Sequence, residues 1–128
     1  MKNNSLLRLA EKYGSPLYVY DTDKITSQYN RIINAFSDVK NIKINYAVKA
    51  LSNINILKVF KQLGTSLDTV SVQEVQLGLA AGVLPENIIF TPNGVSLTEI
   101  EEVAALGVQI NIDNLSILEL FGQKPLIY

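Results

Sequence analysis

The strongest constraint on this chain is a rhythm. Short apolar segments with strand period alternate with amphipathic helical segments, and the pair repeats along the sequence. Ile42, Ile44, Tyr46 and Val48 fall on one face of an extended segment, with Lys43, Asn45, Ala47 and Lys49 on the other, which predicts a strand over Ile42–Val48 with Lys49 at its C-terminal end. Leu51-Ser52-Asn53 then supplies capping chemistry for a helix carrying Ile54, Leu57, Val59, Phe60 and Leu63, and Gly64 stands where a left-handed residue closes a helix. A second strand is expected over Ser66–Val70. It leads into Ser71-Val72-Gln73-Glu74, a capping box in which Ser71 and Glu74 satisfy each other's free backbone donors. The unit recurs with strand Ile88-Ile89-Phe90, turn Thr91-Pro92-Asn93-Gly94 and a second box from Ser96 to Glu99. It recurs again with Val108, Ile110 and Ile112 followed by a helix from Asn114 to Leu120. Strand starts return at intervals of roughly 22 residues, a period suited to stacked βα units.

Strands alternating with helices of this length imply a parallel sheet with right-handed crossovers. An open doubly wound sheet meets that description, but every helix here follows its strand in one uniform order. That uniformity points to part of a (β/α)8 barrel, whose full form takes about 250 residues. Residues 123–128 read as the start of a further strand, so the expectation is an α/β fold: the N-terminal portion of a TIM-type barrel, about four βα units, cut short. The beginning of the chain differs, with a short helix over Leu6–Tyr13, an extended strand over Pro16–Tyr20 and a longer helix over Thr22–Phe36. Residues 1–21 are therefore expected to precede the barrel and residues 22–128 to form it.

Composition narrows the chemistry. The 128 residues contain no His, no Cys and no Trp. A Ser-His-Asp triad, a thiolate nucleophile, a His-bearing zinc site and a disulfide are all excluded, and no metal site is expected. Reactivity must come from Lys, Asp, Glu, Tyr, Ser, Thr or a cofactor. With 11 basic and 12 acidic residues the net charge is −1, which leaves no basic excess to displace counterions from nucleic acid. No apolar run approaches the ~18 residues of a membrane span and no leader pattern is visible, so a soluble cytoplasmic protein is expected.

Barrel active sites are assembled at the C-terminal ends of the strands. Lys49 is placed at that rim, and if the face bearing Ile42, Ile44, Tyr46 and Val48 packs on helices, Asn45, Ala47 and Lys49 turn inward. A lysine stripped of water attacks a carbonyl and forms a Schiff base. From position alone, a lysine that simply ends a strand and reaches solvent fits better. Asp68 lies one unit later in Leu67-Asp68-Thr69-Val70. It serves either to hold an adjacent cation or to make local turn bonds, although Ser71 already provides the cap. Asn93, Asn111 and Asp113 present polar groups at the same rim.

Tyr46-Ala47-Val48-Lys49-Ala50, with Pro16-Leu17-Tyr18-Val19-Tyr20-Asp21 upstream and Leu67-Asp68-Thr69-Val70-Ser71 and Glu74 downstream, resembles the diaminopimelate decarboxylases. These belong to the barrel-type decarboxylases dependent on pyridoxal 5'-phosphate (PLP), relatives of ornithine decarboxylase and alanine racemase. The similarity runs from Tyr13 onward and includes Ala80-Ala81-Gly82, Ile89-Phe90 and Ile110-Asn111-Ile112-Asp113. It implies that in the intact enzyme Lys49 holds PLP covalently, that Asp68 is an acidic residue near that lysine, and that Ala47 is the small residue kept beside the cofactor. It further implies decarboxylation of meso-diaminopimelate to lysine in a cytoplasmic homodimer. Related decarboxylases of ornithine, arginine or carboxynorspermidine, a racemase, and a non-catalytic PLP-binding module stand as alternatives. Leu51 and Pro92-Asn93 depart from the family pattern. The family's ring-stacking His, Gly-rich phosphate loop and pyridine-binding Glu have no counterpart in the chain, so the 128 residues alone are expected to be inactive.

Overall fold

A computed structural model describes residues 3–123. The chain divides into two compact units, Met1–Lys40 and Asn41–Tyr128. The first holds two helices, α1 (Asn3–Tyr13) and α2 (Thr22–Ala35), and neither contains a buried residue. Asp21 caps α2, its carboxylate accepting from the Lys24 N–H at 3.2 Å. The strand expected over Pro16–Tyr20 does not form. The segment bends at Ser15-Pro16 and is exposed, with no ladder among the described residues, and apolar residues alone cannot make a strand without a neighbouring strand to pair with.

The second unit is a parallel sheet of four strands: β1 (Asn45–Ala47), β2 (Ser66–Thr69), β3 (Ile88–Phe90) and β4 (Gln109–Ile110). Helices α3 (Ile54–Gln62), α4 (Val72–Ala80) and α5 (Leu97–Ala105) form the crossovers, and α6 (Leu115–Gly122) follows β4. The spatial order is β1-β2-β3-β4, so each strand lies beside its predecessor. A doubly wound sheet reverses direction at a switch point; a barrel adds strands in sequence, as here.

Register separates the two faces. Tyr46, Leu67 and Ile88 align across β1–β3, and Thr69, Phe90 and Ile110 align one step on. This is the helix side. The Tyr46 ring stacks on Phe60 of α3 with centroids 3.9 Å apart, and a Cβ added to Gly78 of α4 would lie 2.7 Å from Leu67 Cδ1. Leu67, Thr69, Ile88 and Phe90 are all buried there. The opposite face carries Ala47, Asp68, Ile89 and Gln109 in register, and the first three are only half-buried.

Strand lengths differ from the expected ones. The Ile42–Val48 strand contracts to Asn45–Ala47, because pairing with β2 begins only where the Ser66 N–H donates to the Ile44 carbonyl, at 2.9 Å. Val48–Ala50 instead form a single 3-10 turn, and Lys49 belongs to that turn rather than to the strand. The second strand stops at Thr69, and the fourth is two residues long, with Val108 buried beside it and Ile112 half-buried. Caps follow the sequence more closely. Ser96 and Glu99 make the full reciprocal box. At the other box Ser71 Oγ accepts from the Glu74 N–H, but Glu74 Oε2 accepts from Val70 N–H at 2.8 Å, one residue further back than expected. Gly64 closes α3 with φ +79°, a value that L side chains rarely adopt. The strand start expected over 123–128 lies, beyond Gln123, outside the described residues.

Candidate functional site

The C-terminal edge of the sheet gathers the residues with chemistry. At the end of β1, the turn carrying Lys49 is closed by the Leu51 N–H donating to the Val48 carbonyl at 3.0 Å. Tyr46 Oη donates to the Leu51 carbonyl at 3.3 Å, while its ring lies against Phe60. A fully buried Val48 anchors the turn from the helix side. Lys49 therefore stands on a braced turn immediately past the strand. It is exposed and makes no hydrogen bond or ion pair among the described residues. Lys49 is exposed on a 3-10 turn just past the ladder, and of the two placements open from sequence the solvent-reaching one describes it in this chain.

Asp68 belongs to β2 and aligns with Ala47 of β1 and Ile89 of β3. Residues aligned in a parallel pair project to the same side, so Asp68 and the small Ala47 share the face opposite the helices. The half-buried Asp68 carboxylate accepts a hydrogen bond from Thr91 Oγ1 at 2.5 Å, and its other oxygen has no hydrogen bond among the described residues. Below it, Thr69 turns the other way and donates through Oγ1 to the Ile89 carbonyl at 3.0 Å.

Of the residues singled out from sequence, Ala47 and Asp68 are brought side by side by register, and Lys49 follows Ala47 by two. Asn93, Asn111 and Asp113 are exposed. Asn93 and Asp113 line a notch of about 140 Å³ with Gly94, Ile100, Ile112 and Asn114, well under the ~300 Å³ typical of ligand pockets. Thr91 is the residue the sequence reading passed over as part of a turn. Its face is given only by the β2–β3 register: Ile89 pairs with Asp68, and Thr91 lies two residues on from Ile89. The local set fits a carbonyl-bearing cationic cofactor in two respects. Among the described residues it offers an amine with no hydrogen bond or ion pair, and a carboxylate with one oxygen unbonded beside the small Ala47 side chain.

Residues 22–124 match the family described as pyridoxal-dependent decarboxylase, pyridoxal binding domain. The chain is 36% identical over 111 residues to the diaminopimelate decarboxylase of Methanothermobacter thermautotrophicus, covering 86% of this chain and 26% of that protein. Its fold is similar to the diaminopimelate decarboxylase of M. jannaschii solved in co-complex with L-lysine, with TM-score 0.84, 31% identity, and coverage of 92% of this chain and 29% of that one. It is also similar to the lysine/ornithine decarboxylase of Vibrio vulnificus complexed with putrescine, with TM-score 0.83, 29% identity, and coverage of 92% and 32%. The chain thus spans between a quarter and a third of the length of these proteins.

Proposed function

Because the chain belongs to the pyridoxal-dependent decarboxylases through their pyridoxal-binding domain, we propose that it serves in PLP-dependent decarboxylation of meso-diaminopimelate to lysine, with Lys49 as the cofactor-bearing residue. PLP is the cofactor of this domain family, and when bound it supplies an aldehyde for amines and a ring that takes up the electron pair left by departing CO2. The chain's own contribution is an amine, a carboxylate and space. Lys49, with no hydrogen bond or ion pair among the described residues, would hold the cofactor through Nζ and yield it to the substrate amine. Asp68 carries a negative charge on the inner face, one strand over, and favours the cationic form of a nitrogen brought near it. Ala47, aligned with Asp68, keeps the same face clear. The observation that carries the proposal is this alignment of Ala47 with Asp68, with Lys49 two residues on at the strand end.

The substrate assignment draws on the relatives' identities. The M. jannaschii structure, a diaminopimelate decarboxylase holding L-lysine, supports diaminopimelate. The V. vulnificus structure, bound to putrescine, supports decarboxylation of ornithine or lysine as the second reading. Assay of CO2 release from diaminopimelate, ornithine, lysine and arginine separates the two. With the first reading go a role in lysine biosynthesis and, as the family resemblance implies for the intact enzyme, a cytoplasmic homodimer. Among the described residues no helix is long and apolar enough to cross a membrane.

Reduction with borohydride in the presence of PLP, followed by peptide mapping, tests the central residue. In the full-length protein, label is expected on Lys49 and absent in Lys49→Ala. Label confined to another lysine removes Lys49 from the role.

A further inference from the structure

The Asp68 carboxylate is held from one side only. Thr91 donates to Oδ1, and no other described group donates to either oxygen. Several features make Thr91 a stiff donor. Its own N–H donates to the Thr69 carbonyl at 2.8 Å, which ties its backbone to β2 just past the end of β3. Pro92, buried, follows it and fixes the next φ. Threonine is branched at Cβ, so its χ1 has few wells to choose from. Two residues earlier, Ile89 is the register partner of Asp68, so Thr91 lies on the same face, one step nearer the rim. A hydroxyl on a carboxylate is a charge-assisted bond, stronger than its neutral equivalent.

We propose that Thr91 is a positioning residue. Its hydroxyl pins Asp68 through Oδ1 and leaves Oδ2 available to a cation at the Lys49 end of the site. The cofactor side of this inference rests on the roles proposed above for Lys49 and Asp68; the pinning of Asp68 does not. An Asp free to rotate about χ1 spends part of its time with neither oxygen in place. A single donor on a neighbouring strand removes that freedom while leaving the second oxygen unoccupied.

Three-bond couplings about Cα–Cβ of Asp68, measured in isotopically labelled protein, read the rotamer without any cofactor. One rotamer is expected in the wild type and in Thr91→Ser, and averaged couplings in Thr91→Val. Equal couplings in wild type and Thr91→Val overturn the proposal. If Thr91→Val does not fold, Thr91→Ala carries the same comparison. The second readout is the rate of borohydride trapping of PLP on Lys49 at one fixed pH. Thr91→Val is expected to slow it about tenfold, the scale of one lost hydrogen bond to a charged group. Thr91→Ser should restore it to within about twofold, and Thr91→Val should add nothing in an Asp68→Ala background, since partners in one interaction are not additive. Independent, additive losses would assign Thr91 a packing role and overturn the proposal. Wild-type protein that traps no PLP on Lys49 overturns the reading of Lys49 instead, and the couplings still decide Thr91.

Discussion

Single residues in this chain act through a few directed bonds. Glu99 is a case where the consequence is electrostatic. The Ser96 N–H donates to its Oε2 at 2.9 Å and the Ser96 hydroxyl at 2.8 Å, and these two bonds, the backbone one foremost, hold its carboxyl below the ordinary 4.5. A depressed folded value means stability that is present above the unfolded value and lost as pH falls through the folded one. Glu99→Gln is therefore expected to lower the melting temperature at neutral pH, with the gap to wild type closing below pH 4.5. Thermal unfolding followed by circular dichroism across that range checks it; a gap that persists unchanged in acid would show that the bonds, not the charge, matter. The Ser96–Glu99 box was legible because a cap needs only residues three apart in sequence. The Asp68–Thr91 bond was not, because its partners are 23 residues apart and meet only once β2 and β3 pair.

At the scale of elements, the close seat of α4 on the sheet depends on Gly78. It is a buried helical glycine with an ordinary helical backbone, so alanine suits its conformation and would gain about 1 kcal/mol in propensity. Space argues the other way. A Cβ there meets Leu67 Cδ1 at 2.7 Å and Ile88 Cδ1 at 3.2 Å, and both side chains are buried with little room to turn aside. Overpacking of this kind costs about 1–3 kcal/mol, so Gly78→Ala is expected to destabilise on balance, measured as a lower denaturant midpoint at unchanged slope. A higher midpoint would mean that α4 lifts off the sheet at little cost. The helices were read from sequence nearly to their ends, since each shows its own periodicity and cap. Strands fared worse: Ile42 and Ile44 alternate well yet lie outside β1, and the apolar Pro16–Tyr20 segment joins no ladder among the described residues.

For the molecule as a whole, the distribution of burial sets the order of opening. β2 and β3 are interior strands, with Leu67, Thr69, Ile88 and Phe90 buried on the helix side, whereas α1 and α2 contain no buried residue. Hydrogen exchange is expected to be slowest in β2 and β3 and fastest in the helices of the first unit, because regions with few buried contacts open locally at low free energy. Equal protection in both would contradict that picture. The amino-acid sequence by itself determined the succession of βα units, the helix caps and the placing of a lysine and an aspartate in successive units. All of these depend on residues within a turn or two of one another. Only the tertiary structure decided where each strand begins and ends, that Lys49 rides on a 3-10 turn, and that Ala47, Asp68 and Thr91 share one face. Those depend on which backbone groups find ladder partners some twenty residues away, and no local period encodes that register.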